Sequence, residues 1–210
     1  MATRIPFTAS RKPKAVQTVE VERRAPRQER AKSTIETILE ATARILERQG
    51  PAKLNTNSIA EHAGISIGTL YQYFRNKNEI LVAIGLRLFE ADTAAALNAL
   101  AAVRADDSQP ERLVIRALID AYKVRRKTRR AAIDAIISEG FSNRRTGPVA
   151  AIADAVLARG GLTPAGVFVI TRAVNGVLRA TTEEDSPFLA TREFEDELVR
   201  LVRNFLAVPV

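Results

Sequence analysis

A chain of 210 residues with 46% hydrophobic content can hold one sizeable core or two small ones and is too short for a large multidomain machine. Lysine plus arginine number 32 against 24 aspartate plus glutamate, and the resulting net charge of +8 favours an acidic partner such as nucleic acid or an anionic membrane face. Cysteine is absent and His62 is the single histidine, which removes disulfide frameworks, thiol nucleophiles, thiolate metal sites and multi-histidine zinc sites. His62 itself reads as a surface or packing residue. No window approaches the roughly 18 uninterrupted apolar residues of a membrane span, and the N-terminus lacks the apolar stretch of a secretory signal. The expectation is a cytoplasmic protein with no membrane partner, no cofactor and no metal.

The positive charge is local. Residues 1–77 hold 14 basic and 7 acidic side chains, and the remainder hold 18 and 17. Residues 1–32 alone carry 9 basic and 3 acidic groups, together with Pro6, Pro13 and Pro26 and no helical apolar stripe, so residues 1–28 are expected to form a flexible basic arm. From Ser33 to Arg48, Ile35, Ile38, Leu39, Thr42, Ile45 and Leu46 recur at helical spacing, and Gly50-Pro51 ends the run. A short helix follows, with Thr56 as its expected N-cap, Ile59, Ala60 and Ala63 on one face and Gly64 at its end. Ser66 caps another short helix carrying Leu70 and Phe74. Asn76 and Glu79 suggest a capping box for a long helix reaching about Val103. Gly and Pro punctuation then marks helices at 110–127, 129–141, from Pro148 to Gly160, 164–181 and 192–207. No segment keeps a period of two. The chain reads as all-α, with about nine helices.

Residues 56–74 have the anatomy of a helix-turn-helix, two short helices about a tight Ala63-Gly64-Ile65 turn, with the preceding helix covering their shared apolar face. A small residue and a glycine are needed there because the helices approach closely and the backbone reverses within a few residues. The outward side presents Ser66, Ile67, Gly68, Thr69, Tyr71, Gln72 and Tyr73. These are almost all uncharged hydrogen-bonding or aromatic groups, suited to base edges and phosphate oxygens. Glutamine can pair two-pronged with adenine, and tyrosine can pack on a thymine methyl.

The run from Ser58 to Leu81 contains Ile59-Ala60, Ala63-Gly64-Ile65-Ser66, Gly68-Thr69-Leu70-Tyr71-Gln72-Tyr73-Phe74 and Lys77-Asn78-Glu79-Ile80-Leu81. It resembles the DNA-binding signature of the tetracycline-repressor (TetR) family of bacterial transcriptional regulators, over about residues 33–85. The resemblance implies an all-α homodimer whose three N-terminal helices read double-stranded operator DNA. It also implies a C-terminal helical domain that binds a small-molecule effector and dimerises through its last two long helices. The implied organisation is a basic arm (1–28), a DNA-binding domain (29–76) and a ligand-binding and dimerisation domain (77–210). By the same resemblance Thr56, Ser66, Thr69, Tyr73 and Lys77 match phosphate-contacting positions, and Asn57, Ile67, Gly68, Tyr71 and Gln72 match positions facing the bases. Lys77 at a helix start opposes the helix dipole, a conflict that a phosphate would relieve.

In the C-terminal half the basic run Lys123–Arg130 reads either as a solvated helix end complementing the C-terminal dipole or as a site for an anionic effector. Phe89, Leu118, Tyr122, Ile136, Ile137, Phe141, Arg172 and Asn175 are effector-pocket candidates, with plain core packing as the alternative for each. Ala173, Val174, Gly176 and Val177, with the apolar stripes of 192–207, suit a four-helix dimer interface. Twofold symmetry would then place two recognition helices about 34–36 Å apart, or somewhat more, on a palindromic operator. The expected function is that of a ligand-released repressor and not an enzyme. A non-specific architectural DNA-binding protein is the alternative. A helical enzyme fits less well, because one histidine, no cysteine and no paired carboxylates leave little for catalysis.

Overall fold

The computed structural model describes the backbone of residues 17–140 and 147–207 and the side chains of 28–140 and 149–207. It contains nine α-helices and no strand among the described residues. They are α1 (Gln17–Gln49), α2 (Thr56–Ala63), α3 (Ile67–Tyr73), α4 (Lys77–Ala102), α5 (Pro110–Lys123), α6 (Arg126–Ser138), α7 (Gly147–Ala158), α8 (Pro164–Glu183) and α9 (Arg192–Ala207). Single 3-10 turns stand at Pro51–Lys53 and Pro187–Ala190.

The first helix corrects one expectation, because α1 begins at Gln17 and not at Ser33, so residues 17–28 of the expected arm belong to a helix. Residues 20–32 are rich in Glu, Arg, Gln, Ala and Lys, all good helix formers, and this local preference prevails over the single Pro26. Residues 1–16 lie outside the described part. The chain divides into two compact units, residues 1–37 and 38–210. The expected functional boundaries after residues 28 and 76 do not coincide with that division.

Within the larger unit, Ile38, Thr42, Ile45 and Leu46 form the fully buried stripe of α1, joined by Ile59 and Leu70 from α2 and α3. Thr42 is tolerated there because its hydroxyl donates to the Ile38 carbonyl at 2.8 Å and so is not left unpaired. The long helix α4 packs on α6, α5 and α7, while α5 packs on α9 and α7 on α8. A second buried cluster joins Ile115, Ile119 and Tyr122 of α5 to Val174 and Leu178 of α8 and Leu198 and Val199 of α9. Val174, expected at a dimer interface, thus faces its own core, whereas Gly176 and Val177 beside it are exposed.

The boundary between α5 and α6 also differs from expectation. Val124 and Arg125 interrupt the predicted 110–127 helix, with Arg125 in the left-handed conformation at φ 53°. Of the basic run, Lys123 lies exposed in the last turn of α5, as a solvated helix end would, and Arg125, Lys127 and Arg130 are exposed as well, but the other cations are drawn into the fold. Arg129 is buried and forms a two-pronged ion pair with Asp92 of α4 at 2.6 and 2.9 Å. It also donates to the Ala121 carbonyl and stacks over the Tyr122 ring at 4.2 Å. Arg125 pairs with Glu40 at 2.7 Å, and Thr128 donates to Glu47 through both its amide and its hydroxyl. Arg126 reaches Asp185 and the Ser186 carbonyl beyond α8. The run therefore ties α6 to α1, α4 and the end of α8. Burial pushes the Asp92 carboxyl up, with Arg129 opposing the shift. Removing one partner of such a pair costs about 3–5 kcal/mol, because the other charge is left buried and unpaired.

Candidate nucleic-acid interface

The two helices of the expected reader are each fixed by local chemistry. Asn55, and not Thr56, caps α2: its side chain accepts from the Ser58 amide at 2.9 Å, and the Ser58 hydroxyl accepts from the Asn55 amide at 3.2 Å. Thr56 is displaced to the first helical position because its neighbour offers the shorter, better-placed amide acceptor. Gly64 ends α2 at φ 67°, in the left-handed region, and its amide bonds back to Ala60 and Glu61. Ser66 caps α3, accepting from the Thr69 amide at 3.0 Å and sharing a hydrogen bond with the Thr69 hydroxyl at 2.8 Å. Asn76 caps α4 by accepting from the Glu79 amide at 2.9 Å. The expected capping box is only half formed there, because the Glu79 carboxylate accepts from the Arg75 amide at 2.7 Å.

With Leu70 and Phe74 buried, the remaining side of α3 is presented outward. Ser66, Ile67, Gly68, Tyr71 and Gln72 are exposed, and Thr69 and Tyr73 are half-buried. Tyr71 is 52% and Ile67 38% exposed, large apolar surfaces that a solitary fold gains nothing by showing. Freed from capping, the Thr56 hydroxyl stands 3.1 Å from the Tyr71 hydroxyl, so residues fifteen apart in sequence become one polar ridge across α2 and α3. Asn57, next to Thr56 in α2, and Lys77, the first residue of α4, are exposed. All ten residues expected at the interface therefore lie on α2, on α3 with its cap, or at the start of α4. Lys53 and Arg75, which sequence reasoning passed over, are exposed close by in the chain. Their signal was position: Lys53 ends the turn three residues before Thr56, and Arg75 follows Phe74 directly. The surface is an uncharged face flanked by cations. His62 is exposed and locally engaged, with Nδ1 2.8 Å from the Ser58 carbonyl and Nε2 3.4 Å from Gln49.

This geometry agrees with the comparisons. Residues 38–84 match the family described as bacterial regulatory proteins, tetR family. The reader is a tetR-family DNA-binding domain. An uncharacterized HTH-type transcriptional regulator of Haemophilus influenzae is 39% identical over 54 residues, 26% of this chain and 29% of that relative, so the match spans under a third of that protein. The structure of BioQ with its natural double-stranded DNA operator is 25% identical, covering 81% of this chain and 96% of that one with a TM-score of 0.54. A putative TetR-family regulator from Mesorhizobium loti shares the fold at a TM-score of 0.63 and 17% identity, over 85% and 97% of the two chains.

The chain also holds a half-open cavity of about 280 Å³ bounded by α4, α5, α7, α8 and α9. Its wall is apolar, with Leu100, Val114, Ile152, Val156, Val174 and Leu206 among its residues, and Glu111, Arg159, Thr171 and Asn175 supply its polar groups. Of the effector-pocket candidates, Leu118 and Asn175 line it. Tyr122 stands behind Asn175, donating its hydroxyl to Oδ1 at 3.2 Å, and burial pushes its phenol up to about 12. Ile136 is buried against α4 at Gly85, Ile137 is 47% exposed, Phe89 is half-buried on α4, and Arg172 stacks on Phe168 at 4.2 Å. None of these four lines the cavity. Phe141 lies outside the described residues. Among the described residues no group of His, Cys, Asp and Glu is placed to hold a metal, and no helix is long and apolar enough to cross a membrane.

Proposed function

We propose that this chain is a homodimeric transcriptional regulator, a repressor that binds a palindromic operator and is released when a small molecule occupies the 280 Å³ cavity. The observation that carries the reading is the uncharged, outward face of α3 flanked by cations, within a domain of the tetR family. The operator complex of BioQ, similar over most of this chain, supports DNA as the partner. In this reading Thr56, Ser66, Thr69, Tyr73 and Lys77 hold phosphates, joined by Lys53 and Arg75. Asn57, Ile67, Gly68, Tyr71 and Gln72 face the base edges. Phe168, Val169 and Val177 of α8 and Leu201 of α9 are exposed apolar residues that a second copy would cover.

Release follows as a population shift, the effector binding better to a conformer in which α4 carries the two reading heads out of register. Lys77 to Leu81 form the joint. Asn78 at that joint donates to Glu139 just past α6 at 3.1 Å, so movement of α6 reaches the start of α4 directly. Selection of operator sequences from a random pool tests the DNA reading. Replacing Tyr71 and Gln72 is expected to weaken binding to the selected operator by about 1–3 kcal/mol for each base edge no longer read, with little change on random DNA. Equal losses on both would remove direct readout by α3.

A further inference from the structure

The polar groups of the cavity are not equally available. Glu111 is held by Arg203 of α9, whose Nε donates to its carboxylate at 2.7 Å. Arg159 donates to the Leu100 carbonyl in the last turn of α4, where a cation suits the helix dipole. Thr171 commits its hydroxyl proton to the Val167 carbonyl at 2.7 Å. Asn175 differs from all three. Its Oδ1 accepts from Tyr122, and the amide N–H donors at Nδ2 of this cavity-lining residue have no partner among the described residues. An amide donor in an apolar wall is worth most to a ligand that brings an acceptor, since a donor left unpaired there keeps its full desolvation cost.

We propose that the cavity selects an uncharged, mostly apolar molecule carrying one carbonyl-type acceptor, and that Asn175 is the residue that reads this acceptor. The selection rests on the cavity being the effector site of the proposed regulator. A carboxylate ligand would need a cation to neutralise it, and the one arginine lining the cavity, Arg159, is exposed to solvent with one of its nitrogens bound to the Leu100 carbonyl. A cationic ligand would meet only Glu111, which Arg203 occupies. The apolar wall disfavours either charge without such a partner.

The full chain is tested by displacement of N-phenyl-1-naphthylamine, an uncharged apolar fluorophore, using 2-nonanone, 1-nonene and nonanoate at pH 8. The fluorophore is expected to bind, with 2-nonanone displacing it more strongly than nonanoate. Asn175→Leu is expected to weaken 2-nonanone about tenfold relative to 1-nonene, the loss of one hydrogen bond. Asn175→Asp keeps an acceptor for Tyr122 but loses the N–H donors, and is expected to show the same relative loss, so a folding defect in one variant does not decide the result. A ketone-to-alkene ratio unchanged in both variants overturns the proposal, as does tightest binding by nonanoate that is lost in Arg159→Ala. Failure of the fluorophore to bind overturns the proposal together with the effector-site reading. Ketone selectivity through Asn175 without release of the selected operator leaves the proposal standing and removes only the switch.

Discussion

Gly68 shows how a single residue separates folding from recognition. It lies exposed in the first turn of α3, and a Cβ added there would meet nothing nearer than the Ser66 hydroxyl at 3.8 Å. Neither packing nor a left-handed backbone demands glycine, and alanine is the better helix former by about 0.8–1.0 kcal/mol. Gly68→Ala is therefore expected to hold or raise the melting temperature while weakening binding to the selected operator about tenfold, roughly 1.4 kcal/mol. Unchanged operator affinity would place Gly68 away from the DNA. Gly64 is the contrasting case, since its φ of 67° is the reason for the glycine. The turn was legible in the sequence for that reason. The role of Thr56 was not, because Asn55 and Thr56 are adjacent N-cap residue types, and only the folded geometry decides which amide each side chain reaches.

Among the elements, the crossing of α4 and α6 positions the helix that follows the reader. Gly85 makes the close approach possible: a Cβ there would stand 2.6 Å from the end of Ile136 and 3.3 Å from the Ala132 methyl. Gly85→Val is expected to destabilise the fold by about 1–3 kcal/mol in urea unfolding, as overpacking does. Ile136→Ala by itself should cost about 2–5 kcal/mol. Combined, the two should cost clearly less than their sum, because the smaller side chain vacates the space that valine needs. Strict additivity would show that the crossing does not depend on this pair. Ile136 was expected in the effector pocket from its place on an apolar stripe, and Gly85 carries no signal within a helical stretch. Periodicity could not have placed either residue, because it identifies the apolar face of a helix but not the helix that meets it. The same holds for the basic run: its density of cations was visible, but Glu40, Glu47, Asp92 and Asp185 lie far away in the chain.

Across the whole molecule, charge and recognition are separated. Residues 33–77 carry 5 basic and 4 acidic side chains, so the reader is nearly neutral, whereas residues 1–16 carry Arg4, Arg11, Lys12 and Lys14 and no acidic group. Removing residues 1–16 is expected to reduce the slope of log affinity against log salt by about 0.9 for each phosphate no longer neutralised, with operator preference retained. Measurement on selected and random DNA over a salt series checks this, and a vanished preference would assign base reading to those residues. The helix-turn-helix and the helices described were open to sequence reading because each rests on residues within a few turns of one another, where spacing dictates structure, and the family resemblance rests on one such local run, Ser58 to Leu81. The Asn175–Tyr122–Arg129–Asp92 chain, the inward turn of Val174 and the cavity wall were settled by tertiary structure alone. Each joins side chains tens of residues apart, and only packing the helices against one another determines which of them meet.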